Sequence, residues 1–191
     1  MELKKDNDLN IDEAKLIRAA IECGASKAAI ASTSNLVFSE ELRNMCSQNL
    51  CGKYNTNWMC PPAVGSFREL TENVMKFQKG LLFQTICQLE DSFDFEGMAE
   101  GKAVHEKVFR KLYDRMKSKF DSDDLLPLNA GACEICSECT YLSGEKCRFP
   151  EKAVKSVEAC GIDVNALVLS CGLSYNNGKD TVSYVGMILF R

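Results

Sequence analysis

The sequence predicts one domain of mixed class, α/β or α+β, with a sheet of about four strands flanked by helices and with cysteine-rich metal-binding loops set between those elements. Three observations predict it. Helical and strand patterns alternate from end to end. The chain of 191 residues, 46% hydrophobic and 26% charged, suits a single core, whereas two would each be small. No internal repeat or low-complexity stretch interrupts the alternation. The expected domain covers residues 1–191, with cysteine loops at 46–62 and 131–150.

Asn10 or Asp12 is placed to cap a first helix whose apolar face is Leu16, Ile17, Ala20 and Ile21 and whose stop is Gly24. Lys27 to Ser34 reads as a short strand. Ser39, followed by Glu40 and Glu41, opens a short helix that delivers Cys46. The Gly, Asn and Pro residues between Cys51 and Gly65 put Cys51 and Cys60 on irregular backbone. Ser66 and Glu69 form a capping-box pair ahead of Leu70, Val74 and Phe77.

After Gly80, the apolar run Leu81 to Cys87 suits a buried strand. Gly97 to Phe120 is the longest helical pattern, with Val104, Val108, Leu112 and Met116 on one stripe beside Phe109, Tyr113 and Phe120. Leu125 to Asn129 reads as a strand that runs into the second cysteine loop through Gly131. Pro150 suits the first turn of a helix ending near Gly161, and Asp163 suits the cap of another ending near Gly172. Asn177-Gly178 marks a turn before Thr181 to Phe190, a strand pattern rich in Val, Tyr, Ile and Phe.

The chemistry lies in the cysteines. Cys133, Cys136, Cys139 and Cys147 supply four thiols within fifteen residues in the spacing C-x2-C-x2-C-x7-C. Successive three-residue steps let a short loop wrap one side of a metal centre, as iron–sulfur cubanes are gripped in ferredoxin-type runs. Upstream lie Cys46, Cys51 and Cys60, the last followed by Pro61 and Pro62, and a cysteine followed by proline also closes the ferredoxin run. About seventy residues separate the groups, so a shared site needs a long-range fold; the spacing leaves open whether they build one centre or two.

Charge and compartment narrow the classes. A net charge of −4 with a pI near 5.2 argues against binding nucleic acid through phosphate neutralisation. The opening residues Met1 to Asp8 have no apolar signal core, and no apolar run approaches the roughly 20 residues of a membrane span. A cytoplasmic protein without a membrane partner is expected. In that reducing setting, eleven cysteines read as metal-binding or redox-active rather than as a disulfide framework.

Cys51-Gly-Lys-Tyr-Asn-Thr-Asn-Trp-Met-Cys60-Pro-Pro, Gly131-Ala-Cys133-Glu-Ile-Cys136-Ser-Glu-Cys139, Cys147-Arg-Phe-Pro150-Glu-Lys-Ala and Glu158-Ala-Cys160-Gly-Ile-Asp-Val164 resemble the motifs of a prokaryotic family of predicted metal-binding proteins, a domain of unknown function. The resemblance spans nearly the whole chain. It implies a single domain with metal at the paired cysteine motifs, and it carries no established reaction.

Zinc is the main competitor to iron–sulfur. Structural zinc takes four Cys or His ligands, usually as two C-x2-C pairs, and Cys133/Cys136 with Cys139/Cys147 would satisfy one site. A 4Fe–4S cluster, one or two per chain, explains the triple x2 step and the Cys60-Pro61 pair better. Dithiol redox by Cys133 and Cys136 alone is weaker, because thioredoxin-type pairs lack two further cysteines so close. Seven thiols fall one short of the eight that two cubanes require. Either Cys160 or another thiol completes the set, or one iron is open to a substrate.

Cys23, Cys87 and Cys171 read as small buried hydrophobes. His105, the single histidine, reads as a half-buried surface residue on the long helix. Trp58 either shields the cluster or anchors its loop; Arg148, adjacent to Cys147, is positioned to tune an anionic centre or steer an acidic partner, while a solvated helix face explains Lys146, Lys152 and Lys155 equally well. No Walker A, G-x-G-x-x-G, G-x-S-x-G or H-E-x-x-H motif occurs. Three functions follow: an iron–sulfur electron-transfer or redox accessory protein whose redox partner is unnamed; a small reductase or lyase using an open cluster iron; or a zinc-stabilised interaction module.

Overall fold

Two ten-residue strands, Lys79–Gln88 and Thr181–Phe190, form the centre of the sheet because both of their faces are apolar. In a computed structural model that describes residues 12–191, they pair antiparallel with Phe83 opposite Gly186. Lys27–Ser32 (β1) borders Lys79–Gln88 (β2) on one side, and Leu125–Leu128 (β3) borders Thr181–Phe190 (β4) on the other. The order is β1-β2-β4-β3 and every pairing is antiparallel.

Alternation along the strands feeds two cores. Leu81 and Phe83 of β2 join Ile188 and Phe190 of β4 beneath the helices Glu13–Cys23 (α1) and Phe95–Lys117 (α4). Leu82, Met187 and Leu189 face the opposite way, under Phe67–Val74 (α3) and Val164–Ser170 (α5). Burial of side chains such as Phe83, Phe109 and Leu112 stabilises the assembly by about 2 kcal/mol apiece. Gly186 is required here, because a Cβ on it would lie 2.3 Å from Phe83 Cζ.

Most predicted elements form with their predicted caps. Asp12 Oδ1 accepts Lys15 N–H at 3.0 Å to start α1, while the alternative cap Asn10 and the Met1–Asp8 segment lie outside the described residues. Ser66 and Glu69 complete both halves of the capping box of α3. The long helix begins at Phe95, two residues before the expected Gly97, because Asp94 accepts Gly97 N–H at 2.8 Å.

The predicted faces need correction at two positions. Ile21 and Val104 are exposed, and Ala19 and His105 are buried in their place. The helix expected from Pro150 to Gly161 is absent. Its backbone is drawn instead to the end of β3: Asn129 N–H donates to Lys155 O at 3.0 Å and Val157 N–H donates to Asn129 O at 3.0 Å. A 3₁₀ turn, Glu158–Cys160, follows.

Candidate metal centre

The upstream loop leaves a helix only two turns from its cap. Ser39 Oγ accepts Leu42 N–H at 3.1 Å and starts Glu40–Asn44 (α2), and a 3₁₀ turn over Met45–Gln48 then carries Cys46. Arg43 fastens this end, donating to Ala159 O at 3.1 Å and to Gly65 O. Asn49, Gly52 and Asn55 all adopt positive φ, at 53°, 68° and 56°, so the chain doubles back sharply around Cys51. Asn57, 4% exposed, accepts Met59 N–H through Oδ1 at 3.0 Å and donates its amide to Cys60 Sγ at 3.4 Å.

The downstream loop is closed on itself. The Asn129 contacts with Lys155 and Val157 pinch its base, and Gly131, at φ 71°, turns the chain away from β3. The backbone N–H groups of Ile135 and Val154 favour the charged form of Cys133 and partly offset the effect of its burial. Buried Thr140 ties the far end by donating to Lys146 O at 2.9 Å. Arg148 donates to Glu138 O at 3.2 Å, bracing the loop across the Cys139–Cys147 span.

The fold brings the two loops together. Trp58 Nε1 donates to Glu145 O at 3.1 Å, its indole meets Tyr141 edge-on at 5.0 Å, and Tyr141 OH donates to Asn55 Oδ1 at 2.6 Å. Cys133, Cys136, Cys139 and Cys147 line one small recess, and Asn57, Trp58 and Met59 form its other wall. Cys60 lies near enough to Cys133 for their charges to interact. Trp58 therefore both anchors its loop and walls the recess.

Burial pushes the thiols of Cys46, Cys60 and Cys133 above their ordinary range. Neighbouring sulfur adds to it: Cys51 acts on Cys46, Cys51 and Cys46 on Cys60, and Cys147 and Cys139 on Cys133. Thiols so placed become thiolates in the company of a cation, since a coordinating metal deprotonates sulfur outright. The Asn57 amide donated to Cys60 fits such a thiolate. Among the described residues, no three His, Cys, Asp or Glu side chains converge as the ligands of a single metal ion do. All eleven cysteines are free thiols.

The other cysteines stand apart from this arrangement. Cys160 is fully buried in the apolar cluster with Leu70, Val74 and Ile162, its thiol pushed up to about 11 by that burial, and it does not join the candidate set. Cys23 and Cys171 pack at the rims of the two cores, and Cys87 lies against Gly101 of α4. His105 is buried rather than half-exposed: it stacks on Phe83 at 5.2 Å with Nδ1 2.9 Å from Thr85 Oγ1, and desolvation lowers its pKa to about 4. Tyr141 and Asn129 lie outside the quoted motifs, whereas Asn57 lies inside one and only its nearness to Cys60 hinted at a role.

Residues 29–190 match the family model described as predicted metal-binding protein (DUF2284). The chain belongs to that family. No curated protein matches it. Three solved structures align weakly. A selenomethionine-labelled epoxyqueuosine reductase gives a TM-score of 0.43 at 11% identity, over 92% of this chain and 44% of that one. Epoxyqueuosine reductase from Bacillus subtilis gives 0.41 at 12%, over 93% and 45%. Epoxyqueuosine reductase with a tRNA stem loop gives 0.38 at 12%, over 92% and 44%. The DUF2284 chain thus spans less than half the length of these proteins, and scores this low say nothing of what it binds. Among its described residues, no helix is long and apolar enough to cross a membrane.

Proposed function

We propose that the chain holds a 4Fe–4S cluster on Cys133, Cys136, Cys139 and Cys147, and that Cys46, Cys51 and Cys60 contribute ligands to this or a second centre beside it. The protein then serves as an electron-transfer or redox accessory protein. The observation that carries the reading is the single recess lined by the four downstream cysteines and walled by Asn57–Met59. A cubane spreads its thiolates over four irons, which suits cysteines set around a recess, and it supplies one-electron redox chemistry. The chain's own part is to orient the thiols, donate the Asn57 amide to Cys60 sulfur and limit water through Trp58 and Tyr141.

A second reading, a small reductase or lyase with an open iron, is favoured by the burial of Cys160. Removing it from the candidates leaves seven thiols, one short of two fully ligated cubanes. Anaerobic purification followed by absorption spectroscopy and metal and sulfide analysis tests both. Brown protein with about four or eight irons per chain is expected; colourless protein carrying zinc alone would overturn both readings. Added cyanide then separates the two, since a spectral change requires an accessible iron.

A further inference from the structure

On the other side of Cys133 from the recess lies a larger cavity, about 470 Å³, between α4 and the base of the downstream loop. That volume falls in the range of small-molecule sites, roughly 300–1,000 Å³. The cavity exists because both walls are small: Ala99 and Ala103 on α4 face the Ala130–Ala132 turn. Gly131 matters to its shape, since a Cβ there would lie 3.2 Å from Lys102 Cε.

Its polar lining is organised by charge. Lys102, Lys107 and Arg110 face it against two carboxylates, Glu106 and Glu134, so the wall is positive in a chain whose net charge is −4. Lys102 pairs with Glu134 at 2.5 Å. Arg110 gives Nε to Glu106 at 2.7 Å and Nη1 to Lys152 O at 2.8 Å, and among the described residues its Nη2 and the Lys107 ammonium have no partner.

Arg110 is also held from behind. Glu106 accepts the Asn129 amide, while Asn129 Oδ1 is buried without a hydrogen-bond partner. Asn129 and Glu106 thus brace the guanidinium at the cavity wall. Leaving a buried polar group unpaired is costly, and the arrangement leaves Arg110 Nη2 and the Lys107 ammonium as unpaired donors on residues that line one space.

We propose that this cavity binds a small organic anion, its carboxylate or phosphate held by Arg110 and Lys107 and its body lying over Ala130–Ala132 beside Cys133. The inference rests on the reading above only in taking that ligand as a reactant next to the metal loop; the binding stands by itself. A fixed arginine with a free ammonium suits an oxyacid group, and the neighbouring alanines leave room for a compact body.

Calorimetric titration of the anaerobically purified whole protein with inorganic phosphate and with malonate, alongside its metal analysis, tests this. Saturable binding of one anion is expected, and which of them binds distinguishes a phosphate from a carboxylate ligand. Arg110→Gln and Lys107→Gln should each weaken it about tenfold, a loss of roughly 1.4 kcal/mol, while Arg68→Gln, at an exposed ion pair on α3, should leave it unchanged. Lys107 is exposed, so its variant carries the test if Arg110→Gln fails to fold. Failure of both anions to saturate, or wild-type affinity in the Lys107 variant, overturns the proposal. Metal-loaded protein that binds neither anion sinks the cavity and keeps the metal reading; metal-free protein that still binds does the reverse.

Discussion

Residues 46–62 are strung between two helices, α2 and α3, whereas residues 131–150 leave β3 and return to its own end through Asn129. The first loop is shaped by local turns, with Asn49, Gly52 and Asn55 in left-handed conformations, and it leaves Cys51 exposed. The second is closed by a long-range pinch and sets four cysteines around one recess. The downstream loop thus gathers four thiols of its own, while the upstream loop has three and meets its neighbour through Trp58, Asn55 and Cys60.

The sharpest way to break this contrast is to delete one thiol from each side. Cys136→Ser should abolish the downstream centre, with iron content falling by about four per chain, while Cys51→Ser should spare it. Elemental analysis and the visible spectrum of the two variants decide; loss of all metal from Cys51→Ser would mean one shared centre.

Acid should weaken the scaffold beneath α4 that both loops hang from, because His105 is buried there against Phe83 and Thr85 of β2. Its folded pKa of about 4 lies below the ordinary 6.5, so its stabilisation is complete above pH 6.5 and is lost as pH falls towards 4. That loss amounts to about 3 kcal/mol. Urea unfolding across this window should show it, with a shallower decline in His105→Gln.

Trp58→Phe should cost about 1 kcal/mol by removing the hydrogen bond to Glu145 O. Proteolysis of the variant should speed up at residues 46–62 and leave 131–150 little changed; equal cleavage of both would mean that the latch supports both loops. The smallest effect is expected at Cys87→Ser, a thiol packed on α4 away from both loops, where metal content should match the wild type.

Much of the scaffold was legible from local chemistry. Asp12, Ser39, Ser66 and Asp163 cap helices through their own side chains, and β4 spans Thr181–Phe190 as its pattern predicts. Pro150 misled because a helix start is a local preference, and two backbone bonds from Asn129, remote in sequence, outweigh it. Ile21 and Val104 fit their helical stripes equally well whether buried or exposed, and only the position of the sheet decides. The meeting of the cysteine loops was illegible for the same reason: Trp58 finds Glu145 and Tyr141 finds Asn55 across more than eighty residues.

None of the seven candidate thiols belongs to either apolar cluster beneath the sheet's faces. Stability and loading are therefore separable properties of this chain. Stripped of metal, the protein should keep its strands and helices protected from hydrogen exchange and loosen only at the two loops, a folded vessel ready to be filled after synthesis. A small zinc finger, which cannot hold its shape until its ion arrives, follows the opposite order of assembly.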